Sequence, residues 1–257
     1  FKIIFYWEYV HRFIARLIGL FFLLPLIFFY LSKKIDKKYI NVCYVIFSLI
    51  LLQGVIGWYM VKSGLVNDIT VSHYRLSIHL STAILIISIV FWLIKNITSN
   101  KNKIFFKFFK NNFPFQILIF IIFIQIILGA FVSGLDAGKI YQTWPLMGNT
   151  YIPDDLLYEN VISIFQFDNH SLVQFYHRNL AYLIILYTFG LSIFIYRKRT
   201  FNLHKPLKIL LFVLFIQVLL GIITLVSGLN IYLASMHQIT SVLLVFSALN
   251  LYYFNAK

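Results

Sequence analysis

Charge is scarce in this sequence, and acidic charge is the scarcest. Only 12% of the 257 residues are Asp, Glu, Lys or Arg, where a soluble globular domain carries about 25%. A soluble enzyme is therefore excluded. A disordered chain is excluded with it, because such chains are rich in charge and poor in apolar residues. Cysteine occurs once, as Cys43. A lone cysteine closes no intrachain disulfide and builds no thiolate metal cluster, so a disulfide-stapled secreted domain is excluded too. Cys43 reads as a small apolar filler in a helix. What is present is apolar: 61% hydrophobic and 19% aromatic residues, with a mean hydropathy of +0.85. A polytopic, all-α membrane protein remains.

A hydrocarbon core about 30 Å thick takes about 20 apolar residues at a rise of about 1.5 Å each. Seven segments reach that length: 8–31, 40–61, 74–95, 114–134, 171–196, 206–227 and 232–254. Basic residues outnumber acidic ones 22 to 8, a formal charge of +14. In a soluble chain that excess would point to nucleic acid. Here it sorts by loop. Lys33, Lys34, Lys37 and Lys38 follow the first span, Lys95, Lys101, Lys103, Lys107 and Lys110 the third, and Arg197, Lys198, Arg199, Lys205 and Lys208 the fifth. Asp68 follows the second span. Asp136, Asp154, Asp155, Glu159 and Asp168 follow the fourth. The positive-inside rule puts the basic loops and the C-terminus in the cytoplasm or its matrix equivalent. The excess charge is thus a topology signal, balanced by anionic headgroups of the lipid bilayer, and no nucleic acid is expected. The loop 135–170 is long and rich in aromatic residues and proline. It is expected to be an ordered lid on the outer surface.

The chain repeats itself. His11-Arg12-Phe13-Ile14-Ala15-Arg16-Leu17-Ile18-Gly19-Leu20 aligns with His177-Arg178-Asn179-Leu180-Ala181-Tyr182-Leu183-Ile184-Ile185-Leu186, identical at six of ten positions. Gln53, Gly57, Ser63, Gly64 and Leu65 recur as Gln217, Gly221, Ser227, Gly228 and Leu229. His79 and His237 follow in turn. The repeat runs in the same direction in the membrane, so it is parallel. The fourth span carries the same signature as Gln125, Gly129, Ser133, Gly134 and Leu135. The division expected is 1–113, with three helices, and 114–257, with four. A further glutamine–glycine helix is expected ahead of the first span. The glycines read as places of close backbone approach between helices.

Of seven histidines, His204 falls in a basic loop and His170 in an outer loop, both expected to be solvated, and His73 sits at the outer start of the third span. His11, His79, His177 and His237 lie one or two turns inside the outer ends of four helices. A histidine inside a membrane helix is costly unless paired, and marks a functional site by default. Zinc would want three or four ligands together. Two histidines per half, on different helices, suit haem, which leaves two axial positions and is commonly held between bundle helices. Histidines that merely hydrogen-bond between helices are the alternative. Arg12 and Arg178 follow their histidines at the rim, placed to pair with haem propionates or to reach headgroups.

The halves differ at one position. Glu8 precedes His11 by three residues and shares its helix face; the equivalent in the second half is Gln174. A carboxylate exchanges protons at ordinary pH and an amide does not. The first half is expected to react, and the second to hold haem permanently and pass electrons. Glu8 as an interfacial anion paired with Arg12 or Lys2 is the other reading.

The runs Glu8-Tyr9-Val10-His11-Arg12, Ser72-His73-Tyr74-Arg75-Leu76 with His79, Gly134-Leu135-Asp136-Ala137-Gly138, Thr143-Trp144-Pro145-Leu146-Met147-Gly148, Gln174-Phe175-Tyr176-His177-Arg178 and His237-Gln238 resemble haem A synthase of the proteobacterial and mitochondrial type. The resemblance covers essentially the whole chain. It implies eight helices in two pseudo-symmetric halves, and oxidation of the C8 methyl of haem O to a formyl group, giving haem A for cytochrome c oxidase. It implies that His11 and His79, with Arg12, line the substrate-haem site and that Glu8 is the catalytic carboxylate. It implies that His177 and His237, with Arg178, bind haem B through its iron. The location implied is a bacterial or mitochondrial inner membrane, with the haem sites toward the periplasm or intermembrane space. Expected partners are haem O, the haem O synthase that supplies it, an unidentified electron donor and a second copy in a homo-oligomer.

Other classes use some of the same residues. A di-haem b-type electron-transfer subunit would need both histidine pairs and give Glu8 no role. A haem transporter would favour helices broken at the midplane, which the sequence does not display. A structural assembly factor would tolerate loss of the histidines.

Overall fold

The computed structural model describes residues 3–64, 71–107, 109–157 and 166–256. Lys2, Leu65, Asp68 and Glu159 lie outside them. The helices are α1 (Ile3–Ser32), α2 (Lys37–Gly64), α3 (His73–Thr98), α4 (Phe113–Gly134), α5 (Asp154–Leu157), α6 (His170–Arg197), α7 (His204–Val226) and α8 (Ile231–Asn255). All but the one-turn α5 are long and apolar enough to cross a membrane, which makes seven spans among the described residues. Among the described residues there is no strand, only an isolated bridge between Met147 and Thr150. The chain is an all-α, integral membrane protein.

The spans run a few residues beyond the apolar segments at most ends, because polar residues satisfy the terminal turns. Asn169 accepts a hydrogen bond from the Leu172 amide and so caps α6; Asn230 does the same for α8 through Tyr232. Pro114 opens α4, where a missing N–H costs nothing. α1 continues through Pro25, as membrane helices can when neighbouring groups make up the lost bond. Gly228 and Leu229, both at positive φ, turn the chain sharply from α7 into α8.

Each long helix packs on the next in the chain, and α8 also packs on α3 and α4. The largest core cluster joins these elements, with Leu118 and Ile122 of α4, Leu207 and Leu210 of α7, and Leu249 and Tyr252 of α8 all nearly inaccessible. α1 and α2 stand outside that cluster. α1 packs on α2 and leaves most of its apolar surface uncovered, a surface that costs nothing against lipid tails. At the lysine-rich end, the Lys103 ammonium donates to the carbonyls of Tyr253 (2.8 Å) and Ala256, closing the last turn of α8. The Trp92 indole N–H donates to the Lys103 carbonyl at 2.8 Å. Burial pulls the Lys103 pKa below its ordinary value.

Candidate functional site

His11, His79, His177 and His237 each lie in the second or third turn of their helix, α1, α3, α6 and α8. His177 and His237 line a single pocket that is partly open to the exterior. Its walls are mainly aliphatic, including Ile185, Val218 and Leu225, and its polar groups cluster at Gln174, Arg178 and Trp144.

Each imidazole in the second half rests on the preceding long helix. The Gln125 amide nitrogen of α4 lies 3.2 and 3.3 Å from the two ring nitrogens of His177 and donates to the His177 carbonyl at 3.0 Å. One turn on, a Cβ added to Gly129 would stand 3.2 Å from the His177 Cε1. On α7, the Gln217 amide nitrogen lies 3.4 Å from His237 Nε2, while His237 Nδ1 donates to the Gln217 backbone carbonyl at 3.1 Å. A Cβ on Gly221 would fall 2.8 Å from the His237 Cε1. The first half repeats the pattern. The Gln53 amide nitrogen of α2 lies 3.3 Å from His79 Nε2 and donates to the His79 carbonyl at 2.9 Å. A Cβ on Gly57 would stand 3.0 Å from the His79 Cε1. So Gly57, Gly129 and Gly221 permit the close approach of a histidine ring, while Gly134 permits the close backbone approach expected, its Cβ position 2.8 Å from the His73 Cα.

The described part of the loop between α4 and α6, 135–157, lies over the second-half pocket, with Gly138 and Trp144 lining it; 158–165 lie outside the described residues. Ala137, Met147 and Pro153 are buried, so it is packed down as a lid. Arg178 holds it: its guanidinium donates to the carbonyls of Tyr141 (2.8 Å), Thr143 (2.8 Å) and Leu146 (3.2 Å). The Gln174 amide donates to the same Tyr141 carbonyl at 2.8 Å. Tyr151 on the lid donates to Asn179 of α6.

In the first half, Glu8, His11 and Arg12 are exposed on α1. Glu8 and Arg12 form an ion pair at 3.5 Å, each side chain about half exposed at 48% and 46%. His79 is half-buried. His73 is buried and faces Asp168 at 3.4 Å. His170 is exposed as expected, but His204 is not solvated: it starts α7, is half-buried, and packs its ring 4.5 Å from that of Tyr196. Its position at a helix start, rather than within a loop, explains the difference.

A haem fits what is present in the second half. Two imidazoles from different helices look into one apolar pocket. Around that pocket, Gln125 Oε1, Gln174 Oε1, Arg178 Nε, the Tyr182 hydroxyl and the Thr224 hydroxyl are buried without a hydrogen bond. Buried polar groups normally have partners, so this ring of orphaned atoms suits an occupant with an apolar body and polar substituents. Among the described residues, no group of three or more His, Cys, Asp or Glu could hold a bare metal ion.

Comparison with known proteins agrees with this arrangement. Residues 1–249 match the family model described as cytochrome oxidase assembly protein. The chain belongs to that family. A relative named heme A synthase in Pelagibacter ubique is 48% identical over 260 residues, covering 100% of this chain and 75% of the relative. The heme A synthase of Wolbachia pipientis wMel is 40% identical over 250 residues, covering 97% and 70%. That of Flavobacterium psychrophilum is 35% identical over 252 residues, covering 95% and 73%.

For this family member the structure adds residues that sequence reading left unassigned: Gln53, Gln125 and Gln217 beside the histidines, and Tyr141, Thr143 and Leu146 as the carbonyls that hold Arg178. The glutamines carried a usable signal. Each precedes its glycine by four residues, one helical turn, in three separate helices.

Proposed function

We propose that this chain is a haem A synthase, an oxidoreductase of the membrane that converts the C8 methyl of haem O to a formyl group and so makes haem A for cytochrome c oxidase. The observation that carries the reading is the pairing of equivalent histidine sites that differ in one group. In the second half the position three residues before the histidine is Gln174, buried and bound to the lid. In the first it is Glu8, paired with Arg12 at 3.5 Å and open.

The two halves, 1–113 and 114–257, then divide the work. His11 and His79, with Arg12, receive haem O. His177 and His237 hold haem B, which supplies one-electron redox chemistry at its iron when bound. Arg178 and Gln174 keep the lid over that pocket and exclude water. Glu8 is the catalytic carboxylate: it accepts protons as the methyl is oxidised, or orients the attacking water. Arg12 keeps the carboxylate in place. The lysine-rich loops face the cytoplasm or matrix, and the histidine ends face the periplasm or intermembrane space of an inner membrane. Haem O arrives from the haem O synthase; taking its methyl to a formyl with the oxygen of water releases protons and electrons, and a separate redox partner acts as the oxidant that accepts the electrons.

The test is haem chromatography on membranes that hold the full chain and a haem O source. The expected result is haem A in the wild type and its loss in Glu8→Ala, with haem B still bound. Bound haem B with haem O unchanged, under conditions where a known synthase turns over, would replace this reading by a di-haem electron-transfer subunit.

A further inference from the structure

We propose that the glutamine–glycine pairs Gln53/Gly57, Gln125/Gly129 and Gln217/Gly221 are positioning residues, each fixing the rotation of the imidazole on the helix that packs against it. The inference rests on the reading of those imidazoles as haem ligands. In all three pairs the glutamine amide nitrogen lies 3.2–3.4 Å from a ring nitrogen. In all three, the atom that a glycine Cβ would strike first is the same ring carbon, Cε1, at 3.0, 3.2 and 2.8 Å. A glycine kept only for helix packing would meet backbone or assorted side chains. These meet one edge of one ring, three times over. By contrast, Gly19, Gly54 and Gly190 would meet nothing within 4 Å. The ring lies against one face of the neighbouring helix, where an amide and, one turn on, a bare Cα both touch it, so it keeps one rotation.

The pairs are not equal in their hydrogen bonding. A carbonyl only accepts, so His237 must carry its proton on Nδ1 to bond the Gln217 carbonyl. That leaves the lone pair on Nε2, which faces the Gln217 amide nitrogen at 3.4 Å; a metal bound there would take the place of that contact. Gln217 is itself held, accepting from the Thr240 hydroxyl through Oε1. His177 has no carbonyl on its ring; both its nitrogens face the Gln125 amide nitrogen. Partners beyond the first ligands orient a histidine and tune its basicity, and hydrogen bonding around axial ligands is one of the protein's levers on haem potential. The two ligands of this pocket are therefore set differently, His237 as the stronger donor.

The experiment uses the full chain purified with its bound haem and records the ferric low-spin electron paramagnetic resonance spectrum and the midpoint potential. Gly221→Ala should shift the largest g value and the potential, because a Cβ at 2.8 Å must turn the His237 ring. Gln125→Ala adds no bulk and should shift the spectrum through His177 alone; it decides the matter if Gly221→Ala does not fold. Gly190→Ala, in open space on α6, should leave both readouts at wild type. Haem-loaded Gly221→Ala and Gln125→Ala with wild-type spectra would overturn the positioning role. Wild-type protein that carries no low-spin haem, or a His177→Ala variant that keeps the wild-type spectrum, would instead overturn the ligand reading beneath it.

Discussion

His73 of α3 and Asp168, in the loop that leads into α6, face each other at 3.4 Å. The Tyr74 hydroxyl donates to the same carboxylate at 3.3 Å. One acidic residue of the second half thus takes two contacts from the helix that carries His79. Behind it, Gly134 lets α4 touch α3: a Cβ there would fall 2.7 Å from the His73 Cβ and 2.8 Å from its Cα.

Gly134→Ala should therefore destabilise the bundle, because backbone cannot give way as a side chain can. Overpacking of this kind costs about 1–3 kcal/mol. Thermal unfolding in detergent should show a lower midpoint, while Gly19→Ala, in open space, should not.

Arg178→Leu should release the lid. Three carbonyls lose a charged donor, and a hydrogen bond to a charged group contributes about 1.5–3 kcal/mol. The expected outcome is faster transfer of haem from the protein to an excess of an apo-globin, at least tenfold for about 1.4 kcal/mol lost. An unchanged transfer rate would mean that the lid does not retain the haem.

Gln174→Glu should not create a second reactive site. The buried amide donates to the Tyr141 carbonyl, and a carboxylate cannot. The Tyr141 carbonyl keeps its donor from Arg178, but it would face a second acceptor in place of a hydrogen bond that contributes about 0.5–1.5 kcal/mol. We expect weaker haem retention and no gain in formyl product, read by chromatography.

Lys103→Met should loosen the end of α8. The stem is preserved and the two carbonyls of Tyr253 and Ala256 lose their donor. Hydrogen exchange at the amides of 250–255 should accelerate, with the histidine ends of the helices unaffected.

Much of the fold was legible because the bilayer restricts what a chain can do. Every spanning segment must be long, apolar and helical, so the seven spans could be read from composition and length alone. The four histidines were legible for the same reason, since each breaks an apolar run at a matching place. The roles of Gly57, Gly129 and Gly221 were not. A glycine's purpose depends on what lies across from it, and that residue is on another helix. Arg178 was placed at the rim by its sequence position, but its contacts with Tyr141, Thr143 and Leu146 depend on how the lid folds back, which no local pattern encodes. Glu8 and Gln174 were legible as a difference because the repeat supplies its own internal comparison.

The pocket in the second half has a consequence for biosynthesis. Its two imidazoles come from positions 60 residues apart in the chain, His177 on α6 and His237 on α8. The ribosome delivers the first well before the second, and α7 must be inserted between them. On the reading proposed above, a haem meeting the nascent protein before α8 enters the membrane would find one of its two histidines and an incomplete wall. Loading would then be a late event, with the first-half helices α1 to α3 already in the bilayer.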